Sequence, residues 1–489
     1  MPGKVAVSVG DSGATISISD AFDGGNIKFI GTRPNELDPA STVDVILHIK
    51  PDNYTELEKI GHMQYFSFRS TVSGMEPGSR PLKMNYIIEN AEACSYPEAW
   101  PGSTVCFSTN WDDVDSWQRN ESTVYTDGKL CWDHLHAKNG SVFFSYFPPF
   151  SYSRHLGLVS RSQQAPTCTM MSLGQSLDGR EIECLKVGTG STIAWIIHRQ
   201  HPGENMAEHF AEGLLIRLLG LDTGYEVDDD VKKILTMYTF YIVPCMCPDG
   251  VVRGHLRTNA CGANLNREWH TKRFYKAPTL ERSPEVYGVL KKMDETGVDI
   301  FLDVHGDEEL PVNFISGAEK TPKWGKRMES LHGVFVASFK RSNPDFQQEV
   351  GYPSPDSEEA ALKYMNVATN QVANRFDCLG MTLEMPFKDC LTNPDPIRGW
   401  SPKRARDLGA SVLGPFEYVH QYLRAEGEFW TNLPSEDAYV DPTDDYEALL
   451  RKDGGFVPLG ALKSKRFYSD VHQAHPSKQN GSFAVPNAK

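Results

Sequence analysis

The chain contains no run of about 18 uninterrupted apolar residues, so its sequence predicts no membrane-spanning helix. The opening Met1-Pro2-Gly3-Lys4-Val5-Ala6-Val7 is not followed by an apolar core of signal-peptide length. Cysteine is sparse: 10 residues among 489, scattered, with no Cys-x-x-Cys pair. That spacing excludes a cysteine-built zinc knuckle or a dithiol redox motif and argues against a disulfide framework. A reducing, cytoplasmic setting is expected. The sequons at Asn53, Asn120, Asn139 and Asn480 then read as chance matches. Positive charge is in deficit, with 49 Lys and Arg against 64 Asp and Glu and a formal net charge of −15. A broad basic surface for nucleic acid is excluded, and an anionic ligand would need a local positive patch. No internal repeat is visible.

The composition that remains is globular, 40% hydrophobic and 23% charged. At roughly 150 residues per domain the length allows two to four domains. Residues from about 14 to 160 alternate in short segments with turn residues between them. The clearest predicted strands are Ala14–Ser19, Asn26–Ile30, Val43–Lys50, Met63–Val72, Leu82–Glu89, Val105–Ser108 and Val142–Tyr146. This pattern predicts an antiparallel β-sandwich. Near Pro166 the period changes. Apolar runs at Ile193–His198, Phe240–Val243, Ile300–Val304 and Met381–Glu384 alternate with longer helical patterns. The predicted helices are Ala207–Leu219, Pro284–Glu295, Lys323–Lys340, Glu358–Arg375 and Pro402–Arg424. An α/β architecture follows, a mixed sheet with helices on both faces. The expected division is a sandwich over 1–160, an α/β/α domain over 161–425, and a polar extension over 426–489 that wraps the surface or is partly disordered.

The chemistry-bearing segment is Trp195-Ile196-Ile197-His198-Arg199-Gln200-His201-Pro202-Gly203-Glu204. An apolar strand runs into a turn that presents His201 and Glu204. Imidazole nitrogen and carboxylate oxygen both suit zinc. Alone, such a His-x-x-Glu is commonly a surface pair. A third ligand is offered by His305, which ends the apolar run Ile300–Val304, where open α/β sheets carry their functional groups. By itself His305 reads as a hydrogen-bonded core residue. Two His and one Glu leave one tetrahedral position open, the arrangement of a hydrolytic site.

Three further segments join these: Pro248–Arg257, Gly262–Trp269, and Gly380-Met381-Thr382-Leu383-Glu384-Met385-Pro386-Phe387-Lys388. With His-Pro-Gly-Glu, Thr-Leu-Glu and a β-rich half ending in Phe144–Tyr152, the chain resembles the M14 zinc carboxypeptidases. It is most similar to the cytosolic carboxypeptidase branch and its bacterial-type members, over roughly residues 15 to 425. The resemblance implies one zinc ion per chain on His201, Glu204 and His305. It implies Glu384 as the general base that takes a proton from the attacking water and returns it to the leaving amine. Arg257 would polarise the scissile carbonyl and hold the oxyanion. Asn266 and Arg267 would grip the substrate's terminal carboxylate, which makes an exopeptidase. Partners would be C-terminal tails of peptides or proteins, tubulin among them, with no nucleic acid and no membrane.

Some positions depart from the digestive branch of that family. Gly203 replaces the Arg before the ligand Glu. Asn264 stands where an Asp supports a zinc His, and Asp303, two residues from His305, is a candidate compensation. The mobile substrate-binding Tyr is matched by Tyr364 or Tyr352. Removal of C-terminal glutamate, as in the deglutamylases of the cytosolic branch, is one expected activity; it would call for a cation a little more than a dozen residues before the base, and Asn366–Ala373 has none. Arg375 is the nearest, and Thr369, Asn370 and Gln371 suggest a smaller polar pocket. Arg253, Arg257, Arg267, Lys272 and Arg273 are expected to flank the metal as a positive patch. Two other readings compete: a zinc deacylase of N-acyl amino acids, and a catalytically silent tail-binding protein. The large β-domain counts against the first. The presence of Glu384 and Arg257 beside all three ligands counts against the second.

Overall fold

The protein is described from a computed structural model covering residues 4–6, 13–39, 41–53, 61–270 and 277–446. Its first half is a sandwich of two sheets. One runs in the order β1 (Lys4–Ala6), β2 (Thr15–Ser19), β5 (Ser67–Ser73), β11 (Gly140–Ser145), β7 (Cys106–Ser108), β8 (Gln118–Arg119). The other runs β3 (Lys28–Pro34), β4 (Thr42–His48), β6 (Leu82–Ile88), β10 (Lys129–His136), β9 (Val124–Thr126). Inward aromatic side chains interleave between the sheets: the Phe144 ring lies 4.7 Å from that of Tyr86 and 5.5 Å from that of Trp132. The sandwich is antiparallel except for β4 and β6, which run parallel. The strand between them, β5, lies in the opposite sheet, so the chain re-enters the second sheet in its original direction.

The second half holds a seven-stranded mixed sheet. Its order is β12 (Cys168–Gln175), β13 (Glu181–Val187), β15 (Tyr238–Val243), β14 (Thr192–His198), β16 (Ile300–Asp307), β18 (Leu379–Pro386), β17 (Phe314–Ser316). The four central strands from β15 to β18 are parallel, and antiparallel strands close both edges. Both faces are buried, and each strand's alternation divides its side chains between two cores. Ala194 and Ile196 face α2 (Asn205–Leu219), α6 (Lys326–Ser342) and α10 (Leu413–Leu423). Trp195 and Ile197 face α5 (Pro284–Thr296) and α8 (Ala368–Phe376). The first of these cores is continuous with the interior of the sandwich.

Four further helices are α1 (Tyr152–Ser162), α3 (Asp229–Met237), α4 (Pro248–Arg253) and α9 (Pro402–Ser411). The helix predicted over Glu358–Arg375 is two pieces, α7 (Glu358–Leu362) and α8. The second piece is capped from outside the helix, where Asn266 Oδ1 accepts the Ala368 amide at 2.9 Å. The helix predicted over Pro402–Arg424 also divides, at Val412. Residues 426–446 fold back over the second half. Asp437 receives Arg341 at 2.8 Å, and the Thr443 carbonyl accepts the Gly351 amide at 2.9 Å. The expectation for 447–489 lies outside the described residues.

Candidate active site

β14 ends at His198, and Arg199 turns the chain sharply with φ 57°. Its buried guanidinium is fixed on four sides. It donates to Glu208 Oε2 (2.6 Å), the Phe150 carbonyl (2.8 Å), the Pro202 carbonyl (2.9 Å) and Asn205 Oδ1 (2.5 Å). The turn that follows therefore has one shape, and it points His201 and Glu204 inward. Gly203 lets another loop approach it: its amide donates to the Leu256 carbonyl at 2.9 Å, and a Cβ there would sit 2.8 Å from that oxygen. An Arg at this position would displace the loop, which explains the departure noted in the sequence.

His305 and Glu384 are direct neighbours across β16 and β18, facing one another in register. His201 Nδ1 and His305 Nδ1 lie 3.2 Å apart. Glu204 spans them, Oε1 2.6 Å from His201 Nδ1 and Oε2 2.9 Å from His305 Nδ1. Two nitrogens on one tetrahedral zinc stand about 3.3 Å apart, so the donor set fits the ion. The far nitrogens face acceptors, which keeps their protons outward and both Nδ1 lone pairs toward the centre. His201 Nε2 meets Asn264 Oδ1 at 3.1 Å, and His305 Nε2 meets Asp303 Oδ2 at 2.9 Å. Asp303 is held in turn by Gln200 (2.6 Å), and Gln200 by the Trp269 indole (2.8 Å). Burial, with Arg257 nearby, pulls His201 down to about 3, so its imidazole is neutral. Burial opposes charge on His305 too, but Asp303 and Glu204 flank it and raise its pKa well above the usual range. A position between two carboxylates favours a cation, whether proton or metal.

A second cluster with metal-compatible spacing, His155, Glu208 and Cys245, lies behind the turn. It already contains a cation, since Glu208 receives Arg199, and His155 is held between Glu208 (2.6 Å) and Glu183 (3.2 Å). It is an ion network that braces the ligand turn.

Glu384 is buried, and its Oε2 has no hydrogen-bond partner among the described residues. Burial raises its pKa well above the carboxylate range, against the pull of His305 and with the help of Glu204, Asp307 and Glu308. Arg257 is buried close enough to His201 to depress its pKa. Asn266 commits its carbonyl oxygen to α8 and points Nδ2 toward His305 Nε2, 3.4 Å away. Arg267 folds onto the Asn266 carbonyl at 2.8 Å. The expected positive patch is described only at Arg253, Arg257 and Arg267. Arg253 is bound by Asp178 (2.7 and 3.0 Å), and Lys272 and Arg273 lie outside the described residues. Of the two tyrosines, Tyr352 lies beside Glu384. Its hydroxyl donates to Asp307, and its ring packs 4.8 Å from Phe314, the cross-strand partner of Glu384. Sequence reading also missed the acids after His305. Glu308 is buried near Glu204 and Arg257, and its Oε1 has no hydrogen-bond partner among the described residues. The run Asp307-Glu308-Glu309 directly after a strand-end His was the available signal.

Comparison with known proteins identifies the fold. Residues 18–147 match the cytosolic carboxypeptidase N-terminal domain, and residues 158–397 match the zinc carboxypeptidase family. An uncharacterized protein of Zymomonas mobilis is 40% identical over 415 residues, covering 85% of this chain and 99% of its own length. The crystal structure of a metallo-carboxypeptidase from Burkholderia cenocepacia superposes with a TM-score of 0.73 at 36% identity, over 83% of this chain and 99% of that one. A Pseudomonas aeruginosa metallo-carboxypeptidase in complex with (2-guanidinoethylmercapto)succinic acid gives 0.73 at 36% identity, over 83% and 100%. Among the described residues no helix is long and apolar enough to cross a membrane. With this fold and this donor set, the chain belongs to the zinc carboxypeptidase family, in the branch that carries a cytosolic carboxypeptidase N-terminal domain, and it is a metallocarboxypeptidase.

Proposed function

We propose that this enzyme removes single residues from the C-terminus of peptides and protein tails. One zinc ion per chain would be held by His201, Glu204 and His305. Zinc bound there supplies a Lewis acid at the scissile carbonyl and lowers the pKa of the attacking water. Glu384, opposite His305 on the neighbouring strand, takes the proton from that water and carries it to the leaving amine. Arg257 holds the oxygen that gains charge. Arg267 receives the terminal carboxylate, with the Asn266 amide beside it. The observation that carries this reading is the convergence of three buried ligand atoms within 4.8 Å of one another, with Glu384 in register beside His305. A binding module would have no use for a buried carboxylate at that position.

The residue removed is, in this reading, neutral or small and polar rather than glutamate. Arg375, the nearest cation to the segment before the base, is bound bidentately by Asp294 at 2.7 and 2.8 Å. Thr369 and Thr382, two positions before Glu384 on the same strand face, instead share a buried hydroxyl bond of 2.6 Å. Acidic tails such as those of tubulin are therefore the discriminating substrates to assay. All ten cysteines are free, which supports a reducing compartment such as the cytoplasm.

Glu384→Gln keeps the side chain's shape and removes the base. Peptide trimming, read by mass spectrometry, is expected to fall by about 1,000-fold or more. Metal analysis should still find one zinc per chain. Trimming at the wild-type rate in that variant would refute the assignment.

A further inference from the structure

Asp52 belongs to the N-terminal sandwich, just beyond β4, 205 residues before Arg257. Asp52 is 3% exposed, and its carboxylate points out of its own domain. Oδ1 accepts the Leu256 amide at 2.6 Å, and Oδ2 accepts the amides of Arg257 and Thr258 at 2.8 and 2.9 Å. The Thr258 hydroxyl adds a fourth bond at 3.0 Å. Three consecutive backbone N–H groups closed on one carboxylate fix the local backbone as a helix or strand would. The residue so fixed in the middle is Arg257.

Asp52 is itself anchored. Its amide donates to the His62 carbonyl at 2.8 Å. Asn26 Nδ2 bridges the carbonyls of Lys50 and Gly254, each at 3.0 Å, and the Gly24 amide donates to the Val252 carbonyl at 3.0 Å. Gly254 has φ 69°, and a Cβ there would stand 2.6 Å from the Gly25 carbonyl. The two halves thus touch backbone to backbone at the start of the Arg257 loop. That loop also touches the ligand turn through Gly203 and Leu256.

We propose that Asp52 is a positioning residue for catalysis: the N-terminal domain aims Arg257 at the scissile carbonyl by holding the backbone on both sides of it. The inference rests on the role given above to Arg257. A misplacement of about 1 Å in such a group is worth on the order of 100-fold in rate, whereas a plain fastening between domains would alter stability alone. Asp52→Asn replaces one accepting oxygen with an NH₂ group, which cannot accept, so at least one of the amides loses its partner.

The test is a double-mutant cycle on a peptide substrate, with wild type, D52N, R257A and the double variant, reading kcat, KM and zinc content. D52N is expected to lower kcat by about 10- to 100-fold with KM within about threefold and zinc at one per chain. In the R257A background the same change should alter kcat by less than about twofold. Thr258→Val, which removes only the hydroxyl bond, serves if D52N does not fold. It should lower kcat by a smaller factor and likewise lose its effect beside R257A. An equal factor in both backgrounds, or no change in kcat, overturns the inference while leaving the carboxypeptidase reading intact. If R257A itself leaves kcat unchanged, the role of Arg257 falls and the inference falls with it. A failure of the wild type to trim any peptide would instead count against the assigned reaction.

Discussion

The two imidazoles of the metal site are supported by different acceptors. Asp303 gives His305 a full negative charge, while Asn264 gives His201 only an amide dipole. A charged partner raises ligand basicity more, so the two ligands should differ in strength. Asp303→Ala should weaken zinc binding by about 10- to 100-fold, and Asn264→Ala by less. Asn264→Asp should tighten it. Competition with a chelator measures all three, and an equal loss from both Ala variants would contradict this view of the site. The support of each ligand was partly legible in the sequence. Asp303 lies two positions from His305, and alternation along a strand returns a side chain to the same face. Gln200 was not legible as the residue that steadies Asp303, because its role depends on a contact across 103 residues. Tyr352 was named beside Tyr364, but its place by the base depends on a loop whose path no local pattern encodes.

Helices and strands position these residues, and buried ions hold the elements together. His155 on α1 joins Glu183 on β13 to Glu208 on α2, directly behind the ligand turn. Burial alone would lower its pKa, but Glu208 and Glu183 outweigh burial and raise it to about 9. The imidazolium form is thus stabilised by folding relative to an unfolded value of about 6.5. A raised folded-state pKa contributes stability in full below the unfolded value, and that contribution is lost as pH climbs through the folded one. Thermal stability should decline between about pH 6.5 and pH 9, and His155→Gln should be less stable near neutrality and flatten that decline. Melting curves across this range check it, and an unchanged pH slope in the variant would contradict it. At this scale the sequence was informative where period and burial agreed, as along Ile193–His198 and Ile300–Val304. It was uninformative where polar residues interrupt a half-buried strand. Lys129–His136 alternates correctly around Leu130 and Trp132, but Asp133, His134 and His136 obscured it. The helix over Glu358–Arg375 divides although its period is sound, and the start of its second piece is capped by a distant asparagine.

Across the whole molecule the sandwich and the α/β half share one buried apolar core rather than resting on each other. Tyr146 stacks on Phe387 at 4.6 Å, three residues past the base. Arg119, buried between the halves, donates to the carbonyls of Phe387, Lys388, Arg398 and Trp400. The first domain is for this reason packed as one body with the α/β half, and its part in catalysis is the proposal made for Asp52. The net charge of −15 is compatible with a substrate carboxylate because Arg257 and Arg267 lie at the metal-site end of the sheet, where the field is local. Under the proposed function the end of the substrate chain is the recognised group. Its most direct test is a mass-spectrometric time course on paired peptides of one sequence, one with a free C-terminal carboxylate and one amidated. The free peptide should lose single residues from its C-terminus, and the amidated one should react at least about 100-fold more slowly, as expected when a charged contact has no partner. Equal cleavage of both peptides, or fragments cut from the interior, would contradict the account.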